Sequence, residues 1–168
     1  MFYKLNNLEE DERQELYDAI PVITLLIAGA DGEISEEELT ESKKITKIRG
    51  FSGGEHMQAF YDKVGEDYSE RLERWMKVIP EDTAERTAHL SARVEKLNAI
   101  LAKLDQETAH YIYKSFTSFA MHVAKADGGI QIFKIGTVSS AEAKLVDLPM
   151  LTPIALPESE EEEGEGEA

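Results

Sequence analysis

The sequence predicts an all-α protein, a compact bundle of about seven to eight helices that includes two internally repeated helix–Asp-Gly-turn–helix hairpins. Three observations predict this fold class. Apolar residues recur at intervals of three and four along almost the whole chain. Prolines, glycines and capping residues separate the periodic segments. The period-two alternation that is typical of strands is confined to residues 130–133.

Five helices are predicted in the first half of the chain. The first covers residues 8–19, and Pro21 begins the second, because proline is tolerated in a first helical turn. The third covers residues 35–49, a short fourth covers residues 56–64, and the fifth is ended by Pro80. The fifth helix carries an apolar stripe at helical spacing, made of Leu72, Trp75, Met76 and Ile79.

Three more helices and a polar segment follow. One helix covers residues 82–103, the next is capped at residue 105 and runs to 126, and the last covers 139–148. Residues 153–168 are rich in Pro, Gly and Glu, so they bury too little apolar surface to offset the entropy of ordering. We therefore assign residues 1–152 to one helical domain and residues 153–168 to a disordered acidic tail.

Composition limits the class of function. The 168 residues include 34 acidic and 18 basic ones, for a net charge of −16, and seven glutamates lie in the last eleven residues. Without those seven charges the net charge becomes −9, so the helical part is acidic too. Such a surface repels phosphate backbones and anionic membranes. We expect no nucleic-acid partner, and a cation or a basic partner instead.

Three absences bear on the location of the protein. There is no cysteine, which excludes disulfides and thiolate chemistry and agrees with a reducing compartment. The first residues lack the positively charged and apolar segments of a signal peptide. The longest apolar stretch, residues 19–30, is interrupted by Pro21 and is too short to span a bilayer. We expect a cytoplasmic protein without direct membrane insertion.

A segment near the start of the chain is repeated near its end. Residues 28–32 correspond to 124–128, and residues 34–38 correspond to 138–142 once an insertion at 130–137 is looped out. Each copy is an apolar helix, an Asp-Gly turn, a β-branched residue, a serine and a glutamate three residues after it. Two hairpins of one design imply pseudo-twofold packing, which would bring the two acidic turns to equivalent places.

The residues of each turn are compatible with a purely structural role. Gly32 suits the left-handed position that ends a helix. Ser35 with Glu38, and Ser139 with Glu142, form the capping-box pattern S-x-x-E, in which two side chains satisfy unpaired amides reciprocally. On this interpretation the turns need no ligand.

The same residues also resemble part of a calcium site. Residues 31–38 match positions five to twelve of an EF-hand loop, including the glycine at six and the bidentate glutamate at twelve. Ile27 and Gly29 fall at positions one and three and carry no side-chain oxygen, so each hairpin holds half a site. Two halves facing each other would pool four carboxylates around a hard divalent cation, calcium or magnesium in preference to zinc. These are Asp31, Glu38, Asp127 and Glu142.

The doubled pattern A-x-A-D-G-x-[I/V]-S-x-x-E, in an acidic helical chain without cysteine, resembles the tellurite-resistance TerB-like family. The resemblance covers residues 20–49 and 112–148. It implies a helical bundle, an acidic patch that is a candidate for metal binding, no established catalysis, and a role in tellurite and related stress resistance with protein partners at the membrane. Carried over by position in the motif, the acidic patch consists of the four carboxylates named above, those of Asp31, Glu38, Asp127 and Glu142. The second copy differs from the first in two ways. It contains the insertion at 130–137, and it has Gly129 where the first copy has Glu33.

We therefore expect a non-enzymatic stress-response module that binds a divalent cation weakly at the pooled site and engages a protein partner, either basic or membrane-associated. The alternative is a pure protein-interaction or co-chaperone-like adaptor domain, in which the Asp-Gly turns only cap helices. A third hypothesis, a hydrolase, comes from the G-x-S-x-G pattern at residues 50–54, whose serine is Ser52. That motif acts on a strand-to-helix turn, and the sequence predicts no strand before it. No oligomeric state is predicted.

Overall fold

The computed structural model describes residues 2–52, 54–126 and 140–158, and within them the chain forms a short 3₁₀ helix and six α-helices. The elements are the 3₁₀ helix Phe2–Leu5, α1 (Glu10–Ala28), α2 (Glu36–Ser52), α3 (Gly54–Met76), α4 (Thr83–Leu101), α5 (Gln106–Ala126) and α6 (Ser140–Leu145). No strand occurs in these ranges, and the predicted all-α class is confirmed.

Helix α1 is the centre of the bundle. It packs against α3, α4 and α5, with smaller contacts to α2 and α6. Every residue from 19 to 28 is buried, so the second half of the helix is enclosed on all sides. A helix that is apolar around its whole circumference is typical of a protein interior. The other helices therefore form a shell around α1.

The prediction of separate helices before and after Pro21 is wrong, because α1 is continuous through this residue. Proline removes one backbone hydrogen bond and disfavours a helix interior by about 3 kcal/mol. Leu16, Ile20, Ile23 and Ile27 are fully buried along the continuous helix. Since each buried aliphatic side chain contributes about 1.5–3 kcal/mol, their packing offsets the cost of the proline.

The α2–α3 hairpin also differs from the prediction. Gly50, predicted to stop α2, lies inside it, and a Cβ at this position would lie 2.8 Å from Oδ1 of Asp62 in α3. The glycine therefore permits a close approach of two helices. The two helices predicted after it are the arms of a single α3, which bends at Asp67 (φ −133°, ψ 20°). Arg71 Nε donates to the Asp67 carboxylate at 2.7 Å and holds the bend.

Buried hydroxyl groups join α1, α2 and α3. The Tyr68 hydroxyl donates to Oγ of Ser42 at 2.8 Å and lies 2.8 Å from Oγ1 of Thr24. Thr24 and Ser42 in turn donate to the carbonyls of Ile20 and Leu39. Burial raises the pKa of Tyr68, because a phenolate would lose its hydration. These bonds fix the relative positions of three helices.

Helices α4 and α5 each begin after an aspartate cap, and the cap at Asp105 is the one that the sequence predicts. Asp82 accepts a hydrogen bond from the amide of Glu85 at 2.9 Å. Asp105 accepts from the amide of Thr108 at 2.9 Å and from its hydroxyl at 2.7 Å. Burial of Asp105 opposes its ionisation, but the bonds from Thr108 outweigh that effect and hold the pKa of Asp105 below its ordinary value.

The second copy of the repeat lies largely outside the described residues. Asp127 and the rest of 127–139 fall there, and so does the side chain of Glu142, although the backbone of α6 covers Ser140–Leu145. The duplicated hairpin and the count of seven to eight helices therefore stay predictions. Within the described ranges, none of the helices combines the length and the apolar character needed to cross a membrane.

Candidate functional site

Residues 29–35, here called the Asp31 corner, form a turn closed by its own backbone. The amide of Gly32 donates to the carbonyl of Gly29 at 3.2 Å. Gly32 has a φ of 103°, the positive value that favours glycine and that its place in the sequence predicts. The Asp31 side chain folds over the turn, where Oδ1 accepts a hydrogen bond from the amide of Glu33 at 3.0 Å.

Ser35 and Glu38 form the predicted capping box at the start of α2. Oγ of Ser35 accepts from the amide of Glu38 at 3.2 Å. In return, Oε2 of Glu38 accepts from the amide of Ser35 at 3.1 Å and from its hydroxyl at 2.9 Å. Glu38 is 2% exposed. Its carboxylate is therefore enclosed by the helix start that it caps.

A guanidinium group lies beneath the Asp31 corner. It belongs to Arg86 of α4, which is buried. Its Nη2 donates to the carbonyls of Gly29 at 3.0 Å and Gly32 at 3.3 Å, and its Nη1 donates to the carbonyl of Glu81 at 3.1 Å. The end of α1 is the negative end of a helix dipole, where a positive charge is stabilising. Arg86 thus ties the corner to the segment that precedes α4.

The contact with Arg86 depends on Gly29. A Cβ at this position would lie 2.9 Å from Nε of Arg86 and 2.8 Å from the carbonyl oxygen of Leu25. Nε itself is buried without a hydrogen-bond partner among the described residues. The inner side of the corner is therefore filled by a cation that belongs to the protein. Sequence reasoning missed Arg86, because no local pattern links it to a turn that lies far earlier in the chain.

The structure describes the side chains of two of the four predicted metal ligands. Asp31 is exposed on the corner, while Glu38 is buried in its capping box. Asp127 and the side chain of Glu142 lie outside the described residues, so the pooled site stays a prediction. Among the residues that the structure describes, no group of three or more His, Asp or Glu side chains is arranged to hold a metal ion.

The G-x-S-x-G pattern lies at a junction between helices. Helix α2 ends at Ser52 and α3 begins at Gly54, and the described part of the chain has no strand to precede them. The strand-to-helix turn that exposes the serine of a nucleophile elbow is therefore not formed by these described residues.

A second candidate site lies where α4 ends and α5 begins. Residues 150–155, here called the strap, cross this junction without regular secondary structure. Nδ2 of Asn98 donates to the carbonyl of Met150 at 2.9 Å, and its Oδ1 accepts from the amide of Thr152 at 2.9 Å. Among the residues that the structure describes, three helix side chains bond to the strap backbone: Asn98, Gln106 and His110.

The strap attaches part of the predicted tail to the helical domain. The sequence places the boundary at residue 153, whereas Ala155 accepts a hydrogen bond from Gln106, and Ile154 accepts one from His110. Ile154 also packs against the core, and Leu151 is buried at the start of the strap. The predicted disorder of the remaining tail, 159–168, concerns residues outside the described ranges.

A pocket of about 350 Å³ lies between the strap and the two helices. Most of its wall is apolar, and this part is formed by Leu101, Ala102, Leu104, Ala109 and Ile154. The volume falls within the range of about 300–1,000 Å³ that is usual for ligand pockets. We call it the strap pocket. The strap pocket could not be predicted from the sequence, because its outer wall forms only when the strap folds back over α4 and α5.

A larger groove of about 460 Å³ lies between α2 and the end of α5. Its charged lining mixes both signs and consists of Glu36, Glu37, Glu41, Lys44 and Lys125. Lys44 already pairs with Glu41 at 3.3 Å. The groove therefore lacks the converging charge of one sign that an ion site requires.

Comparison of the chain with protein-family models, curated proteins and solved structures finds no match.

Proposed function

We propose that this protein is a non-enzymatic helical module, of the TerB-like kind that its repeated motif resembles, and that it binds a protein partner in a stress response. The observation that carries the proposal is the set of hydrogen bonds by which the protein itself holds the Asp31 corner together. Glu38 is used by its capping box, Asp31 bonds to the turn, and Arg86 engages the carbonyls beneath it. A corner built in this way has a structural role, and we expect the partner protein to bind to other surfaces of the domain.

The exposed surface supports an interaction role. Four large apolar side chains are exposed among the described residues: Ile48, Met76, Val78 and Leu156. Single exposed apolar residues are normal on soluble proteins, whereas contiguous apolar surface marks binding sites. Leu156 follows Ile154 of the strap pocket by two residues in the chain. A net charge of −16 favours a partner with a basic surface.

Site-specific crosslinking in cells tests the interaction role. A photoreactive residue replaces Leu156 in one variant and Glu85, exposed at the start of α4, in the control. We expect a protein to crosslink at position 156 well above the control, and the purified pair to bind saturably. If no crosslinked protein binds the purified chain, the interaction role is wrong.

A divalent cation at the pooled site is the second candidate function. It is favoured by the exposure of Asp31, whose carboxylate uses Oδ1 within the turn and presents the rest of the group to solvent. The loop is incomplete, so we expect weak binding, on the order of 10⁻⁴ M for calcium.

Thermal melts with calcium, magnesium, manganese and zinc test this cation site. An ion at a concentration of about 100 times its Kd stabilises the folded state by about 2.7 kcal/mol. For a chain of this size, that raises the Tm by about 5–10 °C. Asp31→Ala and Asp127→Ala should abolish the rise, whereas Asp11→Ala, at an exposed position of α1, should keep it. Equal melts with and without every ion would eliminate the cation site and leave the interaction role.

A further inference from the structure

The strap pocket has a floor made of core residues and an outer wall made by the strap. The floor consists of Leu101, Leu104 and Ala109, which are 1%, 9% and 3% exposed and belong to the hydrophobic core. The outer wall is the half-buried side chain of Ile154, which packs against the same core. Core side chains are held in place by close packing, so the apolar surface of the pocket is formed before a ligand enters.

The strap is fixed to the helices by its backbone. Four of its backbone groups bond to helix side chains: the carbonyls of Met150, Ile154 and Ala155 and the amide of Thr152. Fixed walls lower the cost of binding, because the strap does not have to become ordered around the ligand. The same bonds occupy backbone groups that an extended peptide would need in order to pair with the strap.

Among the residues that the structure describes, no charged side chain lines the strap pocket. The polar part of the lining consists of Asn98, Gln106 and Thr152, which are all neutral. A charged ligand would lose its hydration on entry and gain no opposite charge, so its binding is disfavoured. The binding of a neutral apolar ligand is favoured, because it removes apolar surface from water.

The charged residues that lie nearest to the floor in the sequence have partners within the protein. Lys103 pairs with Glu12 of α1. Asp105 caps α5 and accepts two hydrogen bonds from Thr108. Both side chains are used to hold the helices, which agrees with a pocket that offers no charge to a ligand.

The volume of the strap pocket limits the size of its ligand. An engineered protein cavity of about 150 Å³ with apolar walls binds benzene. The strap pocket, at about 350 Å³, has room for roughly two such rings. The exposed side chains of Gln106 and Thr152 also line it, and their oxygen atoms can each accept a hydrogen bond from one polar group of a ligand.

We infer that the strap pocket binds a small neutral molecule that is mainly apolar, about as large as two fused aromatic rings, and has one hydrogen-bonding group. This binding does not require the protein partner proposed above. A side chain of a partner fits the pocket less well, because a leucine or isoleucine side chain has fewer heavy atoms than benzene and would leave much of the volume empty.

An NMR titration of the full chain with three probes tests this binding. The first probe, 2-naphthol, is neutral and has two fused rings and one hydroxyl group. Naphthalene-2-sulfonate has the same rings and a negative charge, and phenol is neutral with a single ring. Chemical-shift changes of the protein give the Kd, and nuclear Overhauser effects between the probe and protein methyl groups give the place of binding.

We expect 2-naphthol to bind at neutral pH with a Kd on the order of 10⁻⁴ M. Its protons should show Overhauser effects to the methyl groups of Leu101, Leu104 and Ile154. Naphthalene-2-sulfonate should bind at least about 10-fold more weakly, because nothing in the lining compensates its charge. Phenol should also bind about 10-fold more weakly, because it buries about half as much apolar surface.

Two variants alter the pocket, and a third is the control. Ala102→Phe places a ring at an exposed position of the wall and should weaken 2-naphthol binding by about 10-fold or more. Ile154→Ala shortens the outer wall and should weaken it by several-fold, because less of the probe is covered. Ala88→Phe, at an exposed position of α4 that does not line the pocket, should change the Kd by less than about 2-fold. Thermal melts establish that each variant is folded.

Four outcomes would overturn a ligand site of this kind. They are the absence of 2-naphthol binding, Overhauser effects to the exposed Ile48 or Val78 in place of the pocket, equal Kd values for 2-naphthol and the sulfonate, and undiminished binding to both pocket variants. If 2-naphthol does not bind while Ala102→Phe blocks a protein that crosslinks at position 156, the pocket holds a side chain of that partner. The small-molecule site would then be wrong, and the interaction role would stand.

Discussion

The guanidinium of Arg86 reaches three carbonyl oxygens, of Gly29, Gly32 and Glu81, that come from two distant parts of the chain. In a metal loop, a bound cation draws oxygen atoms together in a comparable way. Here the positive charge is supplied by a side chain and is permanent, because arginine stays protonated. The carbonyl oxygens of the Asp31 corner that face α4 are therefore held by a positive charge that belongs to the protein.

Gly29→Ala should destabilise the protein, because the new Cβ would meet Arg86 and the Leu25 carbonyl at less than 3 Å. We expect the free energy of unfolding to fall by about 1–3 kcal/mol, the usual cost of overpacking, measured by urea denaturation. Gly65→Ala is the matched control, since nothing lies within 4 Å of the Cβ it would introduce. That substitution should stabilise α3 by about 0.5–1 kcal/mol. Equal effects at both glycines would mean that the contact with Arg86 is not tight.

At the scale of single elements, capped helix starts could be predicted from the sequence, whereas the breaks predicted at Pro21 and Gly50 are wrong. Ser35 and Asp105 cap helices as predicted, because a cap bonds to amides within three residues of itself. Pro21 and Gly50 do not act as breaks, because the packing of neighbouring helices outweighs their local preferences. Such packing joins residues that are far apart in the chain, so it cannot be predicted from a short stretch of sequence.

The same distinction applies to the candidate sites. The turn around Asp31 could be predicted, since its glycine, serine and glutamate act on their immediate neighbours. Arg86 and the strap pocket could not. Each depends on a contact between residues roughly fifty or more positions apart, such as that of Asn98 with Met150. The pairing of Asp31 with Asp127 is a contact of this long-range kind and stays a prediction.

Tyr68→Phe should loosen the connection of α1, α2 and α3. The Tyr68 hydroxyl is lost, while Thr24 and Ser42 keep their bonds to backbone carbonyls. We expect the free energy of unfolding to fall by about 1–2 kcal/mol, the value of one or two hydrogen bonds, with an unchanged denaturant slope. Tyr113→Phe removes a hydroxyl that makes no hydrogen bond among the described residues and should change stability by less than about 0.5 kcal/mol. A Tyr68→Phe protein as stable as the wild type would contradict a structural role for these bonds.

At the scale of the whole molecule, buried tyrosines should make the stability of the protein sensitive to alkaline pH. Burial raises the pKa of Tyr17, Tyr61 and Tyr68 above the ordinary value. The unfolded chain loses these protons near pH 10, whereas the folded chain retains them to higher pH. Their contribution to stability is therefore fully present below about pH 10 and is lost as the pH rises through the folded pKa values.

Urea denaturation at several pH values between about 8 and about 11 should show this loss. We expect the free energy of unfolding to fall by up to about 1.4 kcal/mol per pH unit for each tyrosine that stays protonated only in the folded state. Tyr17, Tyr61 and Tyr68 are three of the six tyrosines, so the part of the tyrosinate absorbance that they contribute should rise only together with unfolding. Tyr68→Phe should reduce the slope. Tyrosinate absorbance from all six tyrosines while the protein is still folded would mean that these three hydroxyls are accessible to solvent.

Because Arg86 bonds both to the end of α1 and to the residue before the cap of α4, fraying of either end would break a hydrogen bond that links it to the other. The two helix ends should therefore open as one cooperative unit, and their amides should exchange with deuterium at similar rates. Heat or denaturant would then separate α1 and α4 in a single event, so this arginine sets how large a part of the molecule unfolds at once.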